Sequence, residues 1–178
     1  MRIAKHIRAI VLLPIMATIV IPGVILLLTR PVSPGWALSP PLSLIPLVLG
    51  LALVCLGLLL MVETVRLFAV VGEGTLAPWD PTRTLVVRGV YRHVRNPMIS
   101  GVFCILLGEA ALLRSVFLLG WFLLFLLSNL IYIPLVEEPG LEQRFGQDYQ
   151  RYRENVARWL PRLRPWDAAL DSETEGER

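Results

Sequence analysis

Three apolar runs in the chain carry no charge at all: Ala9–Leu28 over 20 residues, Leu42–Val62 over 21 and Ser115–Val136 over 22. A fourth, Met98–Leu113, is 16 residues long and has Glu109 inside it. Roughly 20 apolar residues are enough for a helix to cross a bilayer, so the first three read as full spans. At about 1.5 Å per residue the fourth reaches only about 24 Å, short of a hydrocarbon core of about 30 Å. The pattern predicts four crossings, with the short third joined to the last in a tight hairpin at Arg114-Ser115. Pro14 and Pro22 predict kinks in the first span.

Beyond Val136 the pattern changes. Leu141, Phe145, Tyr149, Tyr152, Val156 and Trp159 recur at steps of four, four, three, four and three, which is one face of a single helix. Arg144, Arg151 and Arg158 repeat every seven residues on another face. Such a helix either lies along the membrane surface or caps the bundle. The fold class is therefore all-α: an integral membrane helical bundle of about four transmembrane helices plus a C-terminal cytoplasmic or interfacial amphipathic helix.

The connections are uneven. "VSPGWALSPPLS" reads as a short external turn. "VVGEGTLAPWDPTRTLVVRGVYRHVRNP" is a 28-residue connection, and a loop of that length in a compact protein is functional or disordered. Its Leu, Trp, Val and Tyr residues argue against disorder. Within it, "TLVV" is a candidate extended piece, and Gly72-Glu73-Gly74 is a turn whose backbone can approach a ligand closely. The acidic tail "DAALDSETEGER" is expected to be disordered.

Composition agrees with a lipid solvent. Of 178 residues 55% are hydrophobic and 17% charged, against about 25% charged in soluble domains. Of 17 Lys and Arg, only Arg30 and Arg114 fall in the loops after the first and third runs. The other 15 lie in the N-terminus, between residues 63 and 97, or after Val136. Cytoplasmic loops collect the basic residues, so both termini and the 63–97 loop are expected in the cytoplasm. Arg2, Lys5 and Arg8 precede the first run as in a secretory signal, but the run exceeds about 7–15 residues and no small-x-small site follows it. It is expected to be retained. Cys55 and Cys104 both fall inside apolar runs and read as buried free thiols.

The hairpin has a chemical consequence: the third run leaves Arg95 and the fourth returns to Glu137, bringing both to one end of the bundle. Glu137 and Glu138 come directly after the last run, with Pro134 one turn earlier, and are expected at a loosened helix C-terminus. There a carboxylate opposes the helix dipole. The pair is either a solvated helix end bound to nearby arginines or a set of acceptors for the hydroxyls or ammonium of a ligand. Arg88, Arg92, His93 and Arg95 are either a membrane anchor or a grip on an anionic group. Glu109 is expected to pair with Arg114, and Glu63 with Arg66. No His/Cys/Asp/Glu cluster has metal-site spacing, and no nucleotide loop stands out.

Two stretches carry a family resemblance. "GVYRHVRNPMISG" and, across a hairpin, "EEPGLEQRFGQDYQRYRENVARWLP" together resemble the isoprenylcysteine carboxyl methyltransferase and phospholipid methyltransferase superfamily of integral membrane enzymes. The resemblance covers about residues 70–165; the N-terminal third shows none. It implies S-adenosylmethionine-dependent methyl transfer to a lipophilic acceptor, isoprenylcysteine carboxylate-like or lipid, that enters from the bilayer. It implies catalytic roles for Arg95 and Glu138, and a cofactor pocket built from Tyr91, Arg95, Asn96, Pro97, Glu137 and Glu138, with no metal. Asn96 stands where the family pattern has His, and Ile99 where it often has Tyr. The division implied is 1–66 for N-terminal transmembrane helices, 67–165 for a cofactor-binding membrane domain and 166–178 for a disordered tail. The partners implied are the lipid substrate and the membrane, with no nucleic acid, and the expected setting is multi-pass in a bacterial inner membrane. A sterol-type membrane reductase using NADPH, or a non-catalytic membrane protein, are the competing classes.

Overall fold

The computed structural model describes residues 12–29, 39–71 and 85–167. The N-terminal basic residues, most of the expected external turn, the Gly72-Glu73-Gly74 turn and the tail beyond 167 lie outside the described residues. Among the described residues three helices are long and apolar enough to span a membrane: Leu12–Thr29, Leu44–Phe68 and Val116–Phe145. The helices are α1 (Leu12–Thr29), α2 (Leu44–Val71), α3 (Pro97–Leu112), α4 (Val116–Tyr132), α5 (Glu138–Phe145) and α6 (Gln147–Asn155). A single 3-10 turn, Gly89–Arg92, precedes α3. The all-helical membrane bundle expected from the sequence is the fold observed, with the short apolar α3 packed among the long helices.

The α2–α3 contact is the tightest in the bundle, and glycine makes it so. The buried seam of α2 is Pro46, Gly50, Gly57, Thr64 and Phe68, at steps of four, seven, seven and four. A Cβ on Gly57 would lie 2.5 Å from the carbonyl of Gly101, and one on Gly108 would lie 2.8 Å from that of Gly50. Two antiparallel glycine pairs thus bring the backbones into contact. Lipid tails are as apolar as leucine, so close van der Waals packing has to drive such association. The many leucines on the outer face of α2 stay exposed, as a lipid-facing surface requires. Cys55 lies on that exposed face, contrary to the buried reading, and Cys104 is half-buried; both are free thiols. The division at residue 66 falls within α2.

α1 meets the bundle through Ala17, which packs with Val102 and Leu106, and the indole of Trp121 donates to the Ala17 carbonyl at 3.0 Å. Proline shapes this helix. A π turn, Met16–Val20, precedes Pro22, and the Thr18 hydroxyl donates to the carbonyl of Pro14 at 2.8 Å. α3 and α4 meet at Arg114, a non-glycine residue at φ 50, and the Ser115 hydroxyl accepts from Leu118 N at 3.3 Å to cap α4. Arg114 donates to the Ser43 carbonyl at 3.2 Å rather than meeting Glu109, whose Oε2 is buried without a hydrogen-bond partner. Glu63 and Arg66 do pair, at 3.7 Å on the exposed side of α2.

The helix expected to end at Val136 continues. Pro134 lacks an N–H, and the chain absorbs this in a second π turn, Ile133–Glu137, closed by Glu138 N–H to the Ile133 carbonyl. Helix geometry then resumes in α5. A π turn inserts one residue and re-phases the helix beyond it. Glu138 therefore points inward, at the start of α5. The single amphipathic helix expected over Leu141–Trp159 is broken at Gly146, whose φ of 54 suits glycine. Its apolar stripe faces protein: Tyr149, Tyr152, Val156 and Trp166 form a core with Leu141, Phe145, Leu85 and Val87. Val86 turns the other way, onto Phe68, Tyr91 and Met98, so Leu85, Val86 and Val87 alternate sides as extended chain does.

Candidate active site

The site begins where the chain enters α3. Pro97 occupies the first turn and is buried, where its missing N–H costs nothing. Asn96 is the capping residue, but its side chain makes no capping bond; its carbonyl accepts from Ser100 N at 3.0 Å. Among the described residues the Asn96 amide is uncommitted. One turn on, the buried Ser100 hydroxyl also lacks a partner.

Arg95 reaches across the hairpin. Its Nη1 donates to Glu138 Oε1 at 2.8 Å and to the Tyr149 hydroxyl at 3.2 Å, and its Nε donates to the Val156 carbonyl at 2.8 Å. Arg158 closes the other side of the same carboxylate, with Nε to Oε1 at 2.7 Å and Nη2 to Oε2 at 2.8 Å. Glu138 is thus held between two guanidinium groups with its side chain 7% exposed. The hydrogen bonds that Arg158 donates to Glu138 hold it further towards its charged form. An Arg–Glu–Arg triad with one surplus positive charge locks the start of α5 to the start of α3.

Glu137 is its opposite. It is half-buried, and its side chain makes no hydrogen bond or ion pair among the described residues. Adjacent helical residues point about 100° apart, so the residue beside an inward, fully bonded Glu138 is directed elsewhere. Tyr91, in the 3-10 turn, feels the Glu137 charge: burial, then Tyr152, then Glu137 push its phenol well above the usual tyrosine range. The Tyr152 hydroxyl donates to the Tyr91 carbonyl at 2.7 Å, and the Tyr91 ring packs edge-on against Phe68 at 5.8 Å.

A strap, residues 156–167, runs antiparallel to residues 92–95. Arg95 N donates to the Ala157 carbonyl, Arg162 N to the His93 carbonyl and Trp166 N to the Arg92 carbonyl, all at 2.9–3.0 Å. His93 Nδ1 bonds to the Arg162 carbonyl at 2.8 Å, so His93 is a structural tie. Trp159 on the strap packs against Phe103 of α3 at 5.2 Å. Sequence reasoning misses Arg158 as a site residue and misses the strap. The pattern puts Arg158 on a helix face, and only the seven-residue arginine spacing singles it out.

Of the residues expected at the site, Arg95 and Glu138 come into direct contact across 43 positions of sequence. Asn96 and Pro97 adjoin Arg95, Glu137 adjoins Glu138, and Tyr91 lies close enough to Glu137 to sense its charge. Among the described residues no group of His, Cys, Asp and Glu is arranged to hold a metal.

A family model for phospholipid methyltransferase matches residues 45–148. It begins in α2, upstream of the limit near residue 70 that the motifs suggest, and so includes the glycine-paired α2–α3 unit. No curated protein and no solved structure matches. The match covers more than half of the chain and contains the hairpin, Arg95 and both glutamates. The chain belongs to the phospholipid methyltransferase family.

Proposed function

We propose that the protein transfers a methyl group from S-adenosylmethionine to a lipophilic acceptor that reaches the site from the bilayer, either a phospholipid headgroup or an isoprenylcysteine carboxylate. The observation that carries this reading is Glu137, a half-buried carboxylate left without a partner among the described residues, beside a fully bonded Arg–Glu–Arg triad. The residues fit the cofactor. Glu137 offers acceptors for an ammonium or a ribose diol, the Asn96 amide offers both donors and an acceptor, and Arg95 keeps Nη2 for an anionic group. When bound, the cofactor supplies a methyl group on a sulfonium, which passes to an acceptor lone pair by direct displacement.

The chain's own task is positioning and exclusion of water. Arg95, Glu138 and Arg158 act together to hold the start of α5, and with it Glu137, against the start of α3. Tyr152 fixes the Tyr91 carbonyl and so the 3-10 turn. Phe103 and Trp159 close the side of the strap with aromatic surface. The arginine-rich end of the bundle faces the cytoplasm, where the soluble cofactor is found, and the open apolar helix faces admit the lipid.

Calorimetry on the detergent-purified protein tests the reading. S-adenosylmethionine should bind, and Glu137→Gln should weaken that binding roughly tenfold or more, as expected when a charged hydrogen-bond partner is lost. Binding of NADPH in place of the adenosyl cofactor would move the protein to the reductase class. Binding of neither would remove the enzyme reading.

A further inference from the structure

A groove of about 390 Å³ opens beside the Gly89–Arg92 turn, lined by Val87, Arg88, Gly89, Arg92, Trp166 and Asp167. None of these residues belongs to the expected cofactor pocket. Arg92 is committed within the groove: its Nε donates to the Trp166 carbonyl and its Nη2 to Asp167 Oδ2, both at 2.6 Å. Arg88 is exposed, and its side chain makes no hydrogen bond or ion pair among the described residues. Two further arginines at the site, Arg95 and Arg158, are taken up by Glu138. Among the described residues of this stretch, Arg88 is therefore the arginine whose whole guanidinium is uncommitted, whereas Arg95 keeps only Nη2.

The position of the groove matters as much as its charge. Arg92 lines it from the Gly89–Arg92 turn, which also carries Tyr91, and Arg88 lines it from the position just before that turn. A 3-10 turn rises about 2 Å per residue, so a four-residue turn is roughly 6–8 Å long. The groove therefore opens within one short turn of Tyr91, a residue of the expected cofactor pocket. An aminoalkyl phosphodiester headgroup seated there would have its phosphate in the groove and its nitrogen, two carbons beyond the ester oxygen, beside that pocket. Trp166 and Val87 supply apolar wall, and tryptophan suits the boundary between headgroups and hydrocarbon. A guanidinium fork matches a phosphate in two parallel hydrogen bonds. The Asp167 carboxylate already satisfies Arg92, which leaves the charge of Arg88 for a ligand.

We propose that this groove seats the anionic phosphodiester of the acceptor lipid, with Arg88 as the residue that holds it and the Arg92–Asp167 pair as its fixed wall. The substrate assignment rests on the methyltransferase reading. It makes Arg88 a specificity determinant that separates phosphate-bearing acceptors from lipophilic acceptors without phosphate.

The test uses the full chain in nanodiscs with two acceptors, a diacyl lipid carrying an aminoethyl phosphodiester and a long-chain amine lacking the phosphate. Arg88→Gln should raise KM for the phosphodiester about tenfold, the low end for a charged hydrogen bond, with kcat moved less than KM. KM for the phosphate-free amine should not change, and Arg88→Lys should recover part of the loss. Arg66→Gln, on the exposed side of α2, controls for general attraction to lipid charge and should keep the wild-type KM. An equal shift for both acceptors, or none, overturns the proposal. If the wild type methylates neither acceptor, the methyl-transfer reading fails by itself, and native mass spectrometry with the phosphodiester lipid judges the groove. Lipid retained by the wild type and lost in Arg88→Gln upholds the site, and equal retention overturns it. Full displacement by millimolar inorganic phosphate, whatever the length of the lipid chains, assigns the groove to a free anion and also overturns the lipid assignment.

Discussion

Replacing Glu138 by glutamine should unfold this protein more readily than replacing Glu137, although the two substitutions are chemically identical and adjacent. Glu138 receives three charge-assisted hydrogen bonds at 2.7–2.8 Å, one from Arg95 and two from Arg158. The Arg95 side chain is 9% exposed and that of Glu138 7%, so water can replace little of what is lost. Glutamine keeps one carbonyl acceptor but leaves two guanidinium groups facing each other with no counter-charge. Removing one partner of a buried ion pair costs about 3–5 kcal/mol, and the retained carbonyl puts this case near about 3. For a chain of this size about 3 kcal/mol corresponds to a fall in melting temperature of about 6–12 °C. Glu137 has no partner among the described residues to lose, so its change stays within about 0.5 kcal/mol, as for a substitution away from such networks. Intrinsic tryptophan fluorescence during heating in detergent reads both variants, and methyl transfer is measured on the same preparations. The expected result is a cool-melting Glu138→Gln that keeps part of its activity and a stable, inactive Glu137→Gln. If Glu137→Gln melts at the lower temperature, or Glu138→Gln matches the wild type, the division of labour between the two glutamates is wrong.

Gly57→Val places a side chain where a Cβ would already lie 2.5 Å from the Gly101 carbonyl; overpacking of this kind costs about 1–3 kcal/mol or more. Gly120→Ala, with nothing within 4 Å, should melt as the wild type does. Tyr152→Phe leaves the buried Tyr91 carbonyl unpaired and should cost about 1–3 kcal/mol at neutral pH. Burial raises the folded-state pKa of Tyr91, Tyr149 and Tyr152, while an unfolded tyrosine ionises near about pH 10. Their contribution is therefore fully present below that pH and is lost as pH rises through the folded-state values. Melting temperature measured from neutral to strongly alkaline pH should fall beyond about pH 10, and less steeply in Tyr152→Phe. Single cysteines at Ser39 and Arg164, in a background lacking Cys55 and Cys104, should label from opposite sides of the membrane. Labelling from one side alone would contradict the topology.

Hydropathy alone is enough to read a membrane bundle, because in lipid the number and length of uncharged runs set the number of helices. The same pattern brings Arg95 to the level of the glutamate pair. Two antiparallel helices joined at Arg114-Ser115 return the chain to the level it left, whatever their rotation. Rotation is what the one-dimensional pattern cannot supply. α2 is apolar on every side, so its buried seam of Gly50, Gly57 and Thr64 shows in the sequence only as small residues seven apart. The end expected at Val136 is wrong because the π turn at Pro134 continues the helix and re-phases it by one residue. That shift decides that Glu138 faces the arginines and Glu137 stays open. The break at Gly146 likewise turns an expected amphipathic helix into two, and its stripe onto the core. Arg158 reaches Glu138 only through the strap, whose course is set by hydrogen bonds to residues 92–95, more than 60 positions earlier. Local composition determined which segments the bilayer would take up. Partners, phase and the choice between two neighbouring carboxylates were decided by contacts far apart in sequence, which form only once the bundle has closed.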